Sequence, residues 1–544
     1  MNKIYTVIFG IIILFAIALR FWNLGLVPPS PDWDEVALGY NAYSIIQTGR
    51  DEYGKVLPVV LRSFDDYKPA LYMYFIIPFI YLFDVSILAV RFPAAIFGVL
   101  GVIMTYVLVK ELTRNDRLSL IAMAVMAISP WSIQFSRVAF ETQVASVLNI
   151  ITVILFLKGL KKHYLLPFSA IAGVLTIYMY QSEKVFMPLL LLLLAVIYWK
   201  QIWQVSKLWL GITAVVGCLV ALPMLSYIVT NKAALTRATS TVAFSDTSNY
   251  LKNNVNRLVY DEQINNPVGK LFDNRRIEFA KTIIYGYIIH FDPNWLFIRG
   301  DLARHHAPRM AIMYLWELPF LLIGIYSLVF SKEYEKKMKW LVFGWFLLAP
   351  IPASVTSGVP HAVRTMNFLP TYQLFVSIGL FTAYQSISQI HIPKMVKYSV
   401  YSLFSFIVGV FFLFYLNQYF VQQNYFYSKD WQYGYKELVP YIHSLESEYK
   451  KIVVTTKEPL DQSFMFFLFY LKYPPEKYQI EGNNSGGFAE VHRFAKYEFR
   501  EFDFTKESHD HVLYIGRPKD IPSTAHVLKR FTYLNGEGSI VVAD

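Results

Sequence analysis

Eleven apolar stretches occupy most of the first 420 positions of this 544-residue chain, and no other feature limits its fold as strongly. A helix needs about 20 apolar residues to cross roughly 30 Å of hydrocarbon. Within that layer every backbone polar group must find its partner inside the segment. We place the spans at 4–22, 86–109, 118–135, 143–157, 164–180, 186–199, 208–229, 310–330, 340–356, 366–387 and 398–417. The composition agrees: 55% of residues are hydrophobic, 16% are charged and the mean hydropathy is +0.37, unlike a soluble globular domain. The expected fold is a polytopic α-helical membrane protein with about eleven spans. A further apolar segment, 69–83, is only about 15 residues long, and a full crossing there would invert every later connection. It reads as a re-entrant or interfacial helix on the outer face. The first run ends in Arg20-Phe-Trp-Asn with no small-residue cleavage site, so it reads as a retained signal-anchor. The single cysteine, Cys218, lies inside an apolar run and excludes an intramolecular disulfide or a cysteine-based metal site.

The net charge of +11 is topological and does not call for nucleic acid. Alternate connections are basic: Lys110, Arg114 and Arg117; Lys158, Lys161 and Lys162; Lys200 and Lys207; Lys332, Lys336, Lys337 and Lys339; Lys394 and Lys397. The positive-inside rule puts these and Lys3 in the cytoplasm of a cell-membrane protein. The outer side then receives 23–85, the turns at 130–143, 180–184 and 354–364, the long loop 231–309, and everything beyond the last span. The chain divides into a membrane domain, 1–419, and a polar tail, 420–544. Strand-like runs "KIVVTT", "HVLYIG" and "SIVVAD" with helix-like stretches between them predict a small extracytoplasmic α/β domain. There is no solenoid repeat and no low-complexity tract.

Polar chemistry gathers on that outer side. Asp34, Glu35, Asp65, Asp66, Glu141, Glu183 and Asp301 could supply a base or hold a metal. Lys68, Arg91, Arg137, Lys184, Arg304, Arg309 and Arg364 could neutralise a phosphate, and His290, His305, His306 and His361 add donors or ligands. A carboxylate to take a proton, with cations around a phosphoryl leaving group, is a minimal kit for group transfer from a lipid phosphate to a hydroxyl. Each element also has a plainer explanation. Cations beside a membrane bind headgroups or snorkel. His305-His306 can be a solvated pair, and "RHHAPRM" has no fixed zinc-ligand spacing. "YMYQ" at 178–181 fits an aromatic belt. The acidic cluster "DWDE" at 32–35 can cap a helix beginning near Glu35.

The motifs occur in a family's order. "PDWDEVALGYNAYSIIQTGRDEYG", "YKPALYMY" at 67–74, "AVRFPAAIFGVLGVIMTYVLVKEL", "SRVAFETQ" at 136–143, "HFDPNWLFIRGDLARHHAPRM" and "APIPASVTSGVPHAVRTMNFLP" resemble the GT-C membrane glycosyltransferases over about residues 1–420. Within them they are similar to the bacterial family-39-type group of protein mannosyltransferases and aminoarabinose transferases. The resemblance implies Asp34 as general base on the acceptor hydroxyl, with Glu35 beside it. It implies Lys68, Arg137, Glu141, His361 and Arg364 around the donor phosphate and substrate, and Arg91, Lys184 and His306 of the outer cluster are expected to join them. The implied donor is a sugar on a polyprenyl phosphate, and the implied reaction is displacement with inversion. Two departures stand out. The lysine motif reads Lys-Pro-Ala, and "DWQYG" at 430–434 only partly matches the Trp-Trp-Asp-Tyr-Gly motif of oligosaccharyltransferases, with Gln432 where that motif has aspartate.

We therefore expect a membrane glycosyltransferase that moves one sugar per turnover to a hydroxyl of a protein, lipid or glycan acceptor on the extracytoplasmic face. En bloc transfer ranks below it. No nucleotide-sugar loop is present in the sequence. No cofactor is required by this reaction, although Asp32 and Asp34 leave a divalent metal open. The rivals are a flippase for lipid-linked saccharide, which would form no glycosylated product, and an assembly protein acting through its tail.

Overall fold

The structure, a computed structural model, describes residues 3–64, 66–231, 251–482 and 491–544. Asp65 and the 232–250 part of the predicted outer loop lie outside the described residues.

Ten helices lead from the N-terminus to the long loop: α1 (Lys3–Phe21), α2 (Trp33–Thr48), α3 (Leu71–Phe83), α4 (Ile87–Thr113), α5 (Asp116–Ile128), α6 (Pro130–Phe135), α7 (Glu141–Gly159), α8 (Leu166–Ile177), α9 (Glu183–Ile202) and α10 (Lys207–Thr230). A two-stranded antiparallel hairpin, β1 (Val60–Ser63) and β2 (Asp66–Pro69), joins α2 to α3. Further bundle helices are Glu317–Phe330, Lys336–Leu348, Thr371–Gln389 and Lys394–Asn417. The chain is a multi-pass membrane protein: among the described residues six helices are long and apolar enough to cross a bilayer, α1, α4, α7, α9, α10 and the continuous Lys394–Tyr427.

The eleven expected spans all find a helix, but several are shorter than the apolar run suggested. The run 118–135 breaks at Ser129–Pro130 into α5 and α6, because proline lacks the N–H a continuing helix needs. The run 310–330 becomes helical only at Glu317, since 301–316 forms a turn-rich segment with many buried side chains. The run 366–387 starts its helix at Thr371, after Pro370. Apolarity marks burial, and a buried loop is as apolar as a span. Segment 71–83 is a 13-residue helix set against α4, with Tyr72 Oη donating to Val90 O at 3.0 Å and Phe75 stacked on Phe97.

Beyond the bundle, β3 (Lys451–Val454), β4 (His492–Phe494), β5 (Tyr497–Phe499), β6 (Val512–Gly516), β7 (Val527–Thr532) and β8 (Gly538–Ala543) form one sheet in the order β4-β5-β3-β6-β8-β7. β3 is parallel to both its neighbours, β5 and β6, and the outer pairs are antiparallel. The strands alternate strictly in what they bury. Ile452, Val454, Leu513, Ile515, Ile540 and Val542 belong to the core continuous with the helical bundle. Val453, Tyr514, Val541 and Ala543 face a second, small core with Phe502 and Phe504.

Candidate active site

The acidic cluster does two separate jobs. Asp32 is the N-cap of α2: its carboxylate accepts from Glu35 N–H at 2.9 Å, while Glu35 accepts from Asp32 N–H at 3.2 Å, a reciprocal capping box. Glu35 is also gripped from the far side by Arg91, whose Nε and Nη2 each reach it at 2.9 Å, and by Ala139 N–H at 3.0 Å. The helix-cap explanation therefore holds for Asp32 and Glu35. Asp34, between them, takes no part in the cap and lines a cavity.

That cavity, about 210 Å³, gathers Asp34 and Trp33 from α2, Lys68 and Asp66 from β2, Glu141 from the first turn of α7, Gln181 and Tyr180, Arg304 and His305, and His361 and Arg364. Lys68 Nζ is ion-paired with Asp34, and both line the cavity. The hairpin aims it there, with Lys68 directly opposite Leu61 and its own side chain on the cavity face. Arg364 Nη1 donates to Thr356 Oγ1 at 2.6 Å and to Ser357 O at 2.5 Å. Arg304 also lines it, 2.9 Å from Asp32 and 4.1 Å over the Trp33 ring. Burial pushes Asp32 up to about 6, and Arg304 opposes that rise.

Five residues expected at the substrate do not line the cavity, and four of them are held by other partners. Glu35 and Arg91 are consumed by each other and by the cap. Arg137 is fully buried, donating to Leu19 O, Trp22 O and Val27 O at 2.7–3.0 Å, so it fastens the end of α1. His306 turns both ring nitrogens to backbone carbonyls, those of Ala307 and Asp301. Lys184 sits half-buried in the first turn of α9, outside the cavity wall. Arg309 lies outside it too, and Glu183 is buried beside Asn149 at 3.1 Å. Ser63 and Phe64 line the cavity outside every motif quoted, and Phe140, Gln181 and Val363 lie within quoted motifs but were given no role there.

A candidate metal cluster is also present, but not at Asp32 and Asp34, which are engaged by Arg304 and Lys68. Potential ligand atoms of Asp301, His305 and His361 lie within 4.8 Å of one another at the cavity edge. His305 Nδ1 is 3.3 Å from Asp301 Oδ2. His361 Nδ1 is buried and has no hydrogen-bond partner among the described residues. Burial lowers the pKa of His305, and pushes that of His361 down to about 2, with His305 and Arg364 adding to the effect. Burial thus favours the neutral form of both rings. Burial works against the Asp301 charge, yet the adjoining His305 and His361 and the Ala362 N–H hold its carboxyl below the ordinary range. Two imidazoles and a carboxylate are a donor set that fits a divalent transition metal such as zinc. The spacing alone could not reveal it, since the third ligand comes 56 positions after the second.

The family model for dolichyl-phosphate-mannose-protein mannosyltransferase matches residues 10–238, which hold α2, the hairpin and the first turn of α7. ArnT from Cupriavidus metallidurans bound to undecaprenyl phosphate superposes with a TM-score of 0.53 at 12% identity, covering 98% of each chain. The chain has the GT-C fold. The archaeal oligosaccharyltransferase AglB from Archaeoglobus fulgidus, in complex with an inhibitory peptide and a dolichol-phosphate, gives 0.51 at 12% identity. That match covers 86% of this chain, which spans only 64% of the archaeal one. The same oligosaccharyltransferase in complex with Zn and sulfate gives 0.51, again at 12% identity, over 85% of this chain and 61% of that one. No curated protein sequence matches the chain. The family model and the superposed structures agree on the fold.

Proposed function

We propose that this GT-C protein transfers a single sugar from a polyprenyl-phosphate donor to an acceptor hydroxyl at the extracytoplasmic face of the cell membrane. The observation that carries the reading is the convergence of Asp34, Lys68 and Arg364, from three distant segments, on one cavity. Asp34 removes the proton of the acceptor hydroxyl as its oxygen bonds to the anomeric carbon. The bond from that carbon to the phosphate oxygen breaks on the opposite side, and its electron pair leaves with the lipid phosphate, inverting the anomeric configuration. Lys68 and Arg364 compensate the charge that develops there. In the resting site Lys68 neutralises Asp34. An incoming phosphate competes for the ammonium and so releases the carboxylate as a base.

The cavity, with room for about seven waters, suits one monosaccharide better than an oligosaccharide. The lipid phosphates bound by ArnT and AglB support a donor of that class. Asp301, His305 and His361 would hold a divalent cation, which when bound supplies fixed positive charge at the cavity edge. The proton and leaving-group roles rest with Asp34, Lys68 and Arg364. The reading is tested by incubating purified protein in nanodiscs with radiolabelled polyprenyl-phosphate hexoses and a membrane extract. Label in a new product supports it. No product with any donor, together with donor movement across liposomes, would favour a flippase.

A further inference from the structure

The segment beyond residue 430 is not appended at a distance from the chemistry. α2, the helix that carries Asp34, is gripped along its length by three segments from beyond residue 430. At its start, Gln432 Oε1 accepts from Trp33 N–H at 3.1 Å. Trp33 is the first helical residue, so its N–H has no partner within the helix. Asp32 caps the third residue, Glu35, and Gln432 caps the first from 399 positions away. Gln432 is itself held: Nε2 donates to Gln462 Oε1 at 3.2 Å, its carbonyl accepts from Ser30 Oγ at 3.4 Å, and its backbone sits in the left-handed region. At mid-helix Phe469 lies against Gly39, where an added Cβ would come within 2.6 Å of the ring. At the far end Gln479 Nε2 reaches Ser44 Oγ, Thr48 Oγ1 and Asp51 O at 2.9–3.2 Å.

We infer that the C-terminal domain sets the position of the catalytic helix, and that Gln432, through Trp33 N–H, is a positioning residue for Asp34. The inference rests on the transferase reading only in taking Asp34 as the base. It gives "DWQYG" a role in this chain that an aspartate could not fill in the same way. A glutamine at 432 accepts from the helix start and donates to Gln462 at once, whereas a carboxylate can only accept.

The test combines amide hydrogen exchange with kinetics on the full-length protein in nanodiscs. In the wild type the Trp33 amide should be protected, unlike an ordinary first-turn amide, and rapid exchange there would overturn the proposal before any variant is made. In Gln432→Met, of similar length but without the acceptor, exchange over 31–35 should accelerate at least ~tenfold. The kcat for transfer should fall about tenfold, while the Kd for undecaprenyl phosphate stays within about twofold, because Lys68 and Arg364 are untouched. Unchanged exchange, or faster exchange with wild-type kcat, would overturn it. If the wild type transfers no label at all, the transferase reading has failed, and the exchange results still decide whether Gln432 holds the helix.

Discussion

Glu35 is held by Arg91 and the helix cap while its neighbour Asp34 lines the cavity, and replacing Arg91 by methionine exposes the difference. The Arg91 guanidinium has five N–H donors, and all are used: two on Glu35, and one each on Leu24 O, Pro28 O and Ser30 O, at 2.7–3.2 Å. Arg91 and Glu35 are 0% and 1% exposed. Deleting one member of such a pair strands a buried charge and costs about 3–5 kcal/mol, a large part of a typical stability of ~5–15 kcal/mol. Three carbonyls that shape the loop ahead of α2 lose their donor as well. The melting midpoint of Arg91→Met, read by size-exclusion after heating, should fall markedly. Glu35→Gln in that background should recover at least ~1 kcal/mol, since the stranded charge is gone and the two sites are in contact. If Glu35→Gln alone leaves the midpoint unchanged yet abolishes transfer, Glu35 acts on substrate and the division of the cluster is wrong.

Lys68→Met should weaken binding of undecaprenyl phosphate about tenfold or more, the loss expected of a charge-assisted contact, while leaving the midpoint nearly unchanged; equal binding by both proteins would remove Lys68 from the phosphate site. Glu52 is fully buried, accepts from Asn41 Nδ2 at 3.1 Å on one oxygen, and burial, partly offset by Asn41, pushes its pKa up to about 8. The folded state then holds a proton that the unfolded state releases above about 4.5, so stability falls as pH rises from there to about 8, by up to ~1.4 kcal/mol per pH unit; Glu52→Gln should flatten this slope, and an identical slope in the variant would assign it elsewhere. Purified wild-type protein should carry close to one equivalent of divalent metal by mass spectrometry, and His361→Ala should carry much less; equal metal content in both would discount the Asp301, His305 and His361 cluster.

Much of the bundle was legible because apolar length and basic punctuation follow directly from the solvent the helices cross. The approximate positions of α1, α4, α7, α9 and α10 needed only that reading. The run 118–135 was misjudged because a buried elbow such as Ser129–Pro130 is as apolar as the span it interrupts. At the site, Asp34, Lys68, Glu141, His361 and Arg364 were each named from motif order and do converge. Arg91 and Arg137 were named for the same reason and do something else. An arginine that saturates backbone carbonyls and one that meets a phosphate have the same letter in the same kind of motif, and only the fold tells them apart. The metal cluster and the Gln432 contact join segments 56 or more residues apart, so no local pattern could have shown either.

The central claim is that Asp34 is the base at a lipid-phosphate site, and a single-turnover comparison of the wild type with Asp34→Asn tests it most directly. Both proteins are loaded with the radiolabelled donor, and label in the acceptor product is followed after acceptor is added. With Asp34 as the base, transfer is rapid in the wild type and absent, or slower by about 10²–10⁴-fold, in the variant, with donor still bound at comparable affinity. Transfer by Asp34→Asn at a near-wild-type rate would contradict it, and the base would have to be sought elsewhere in the cavity.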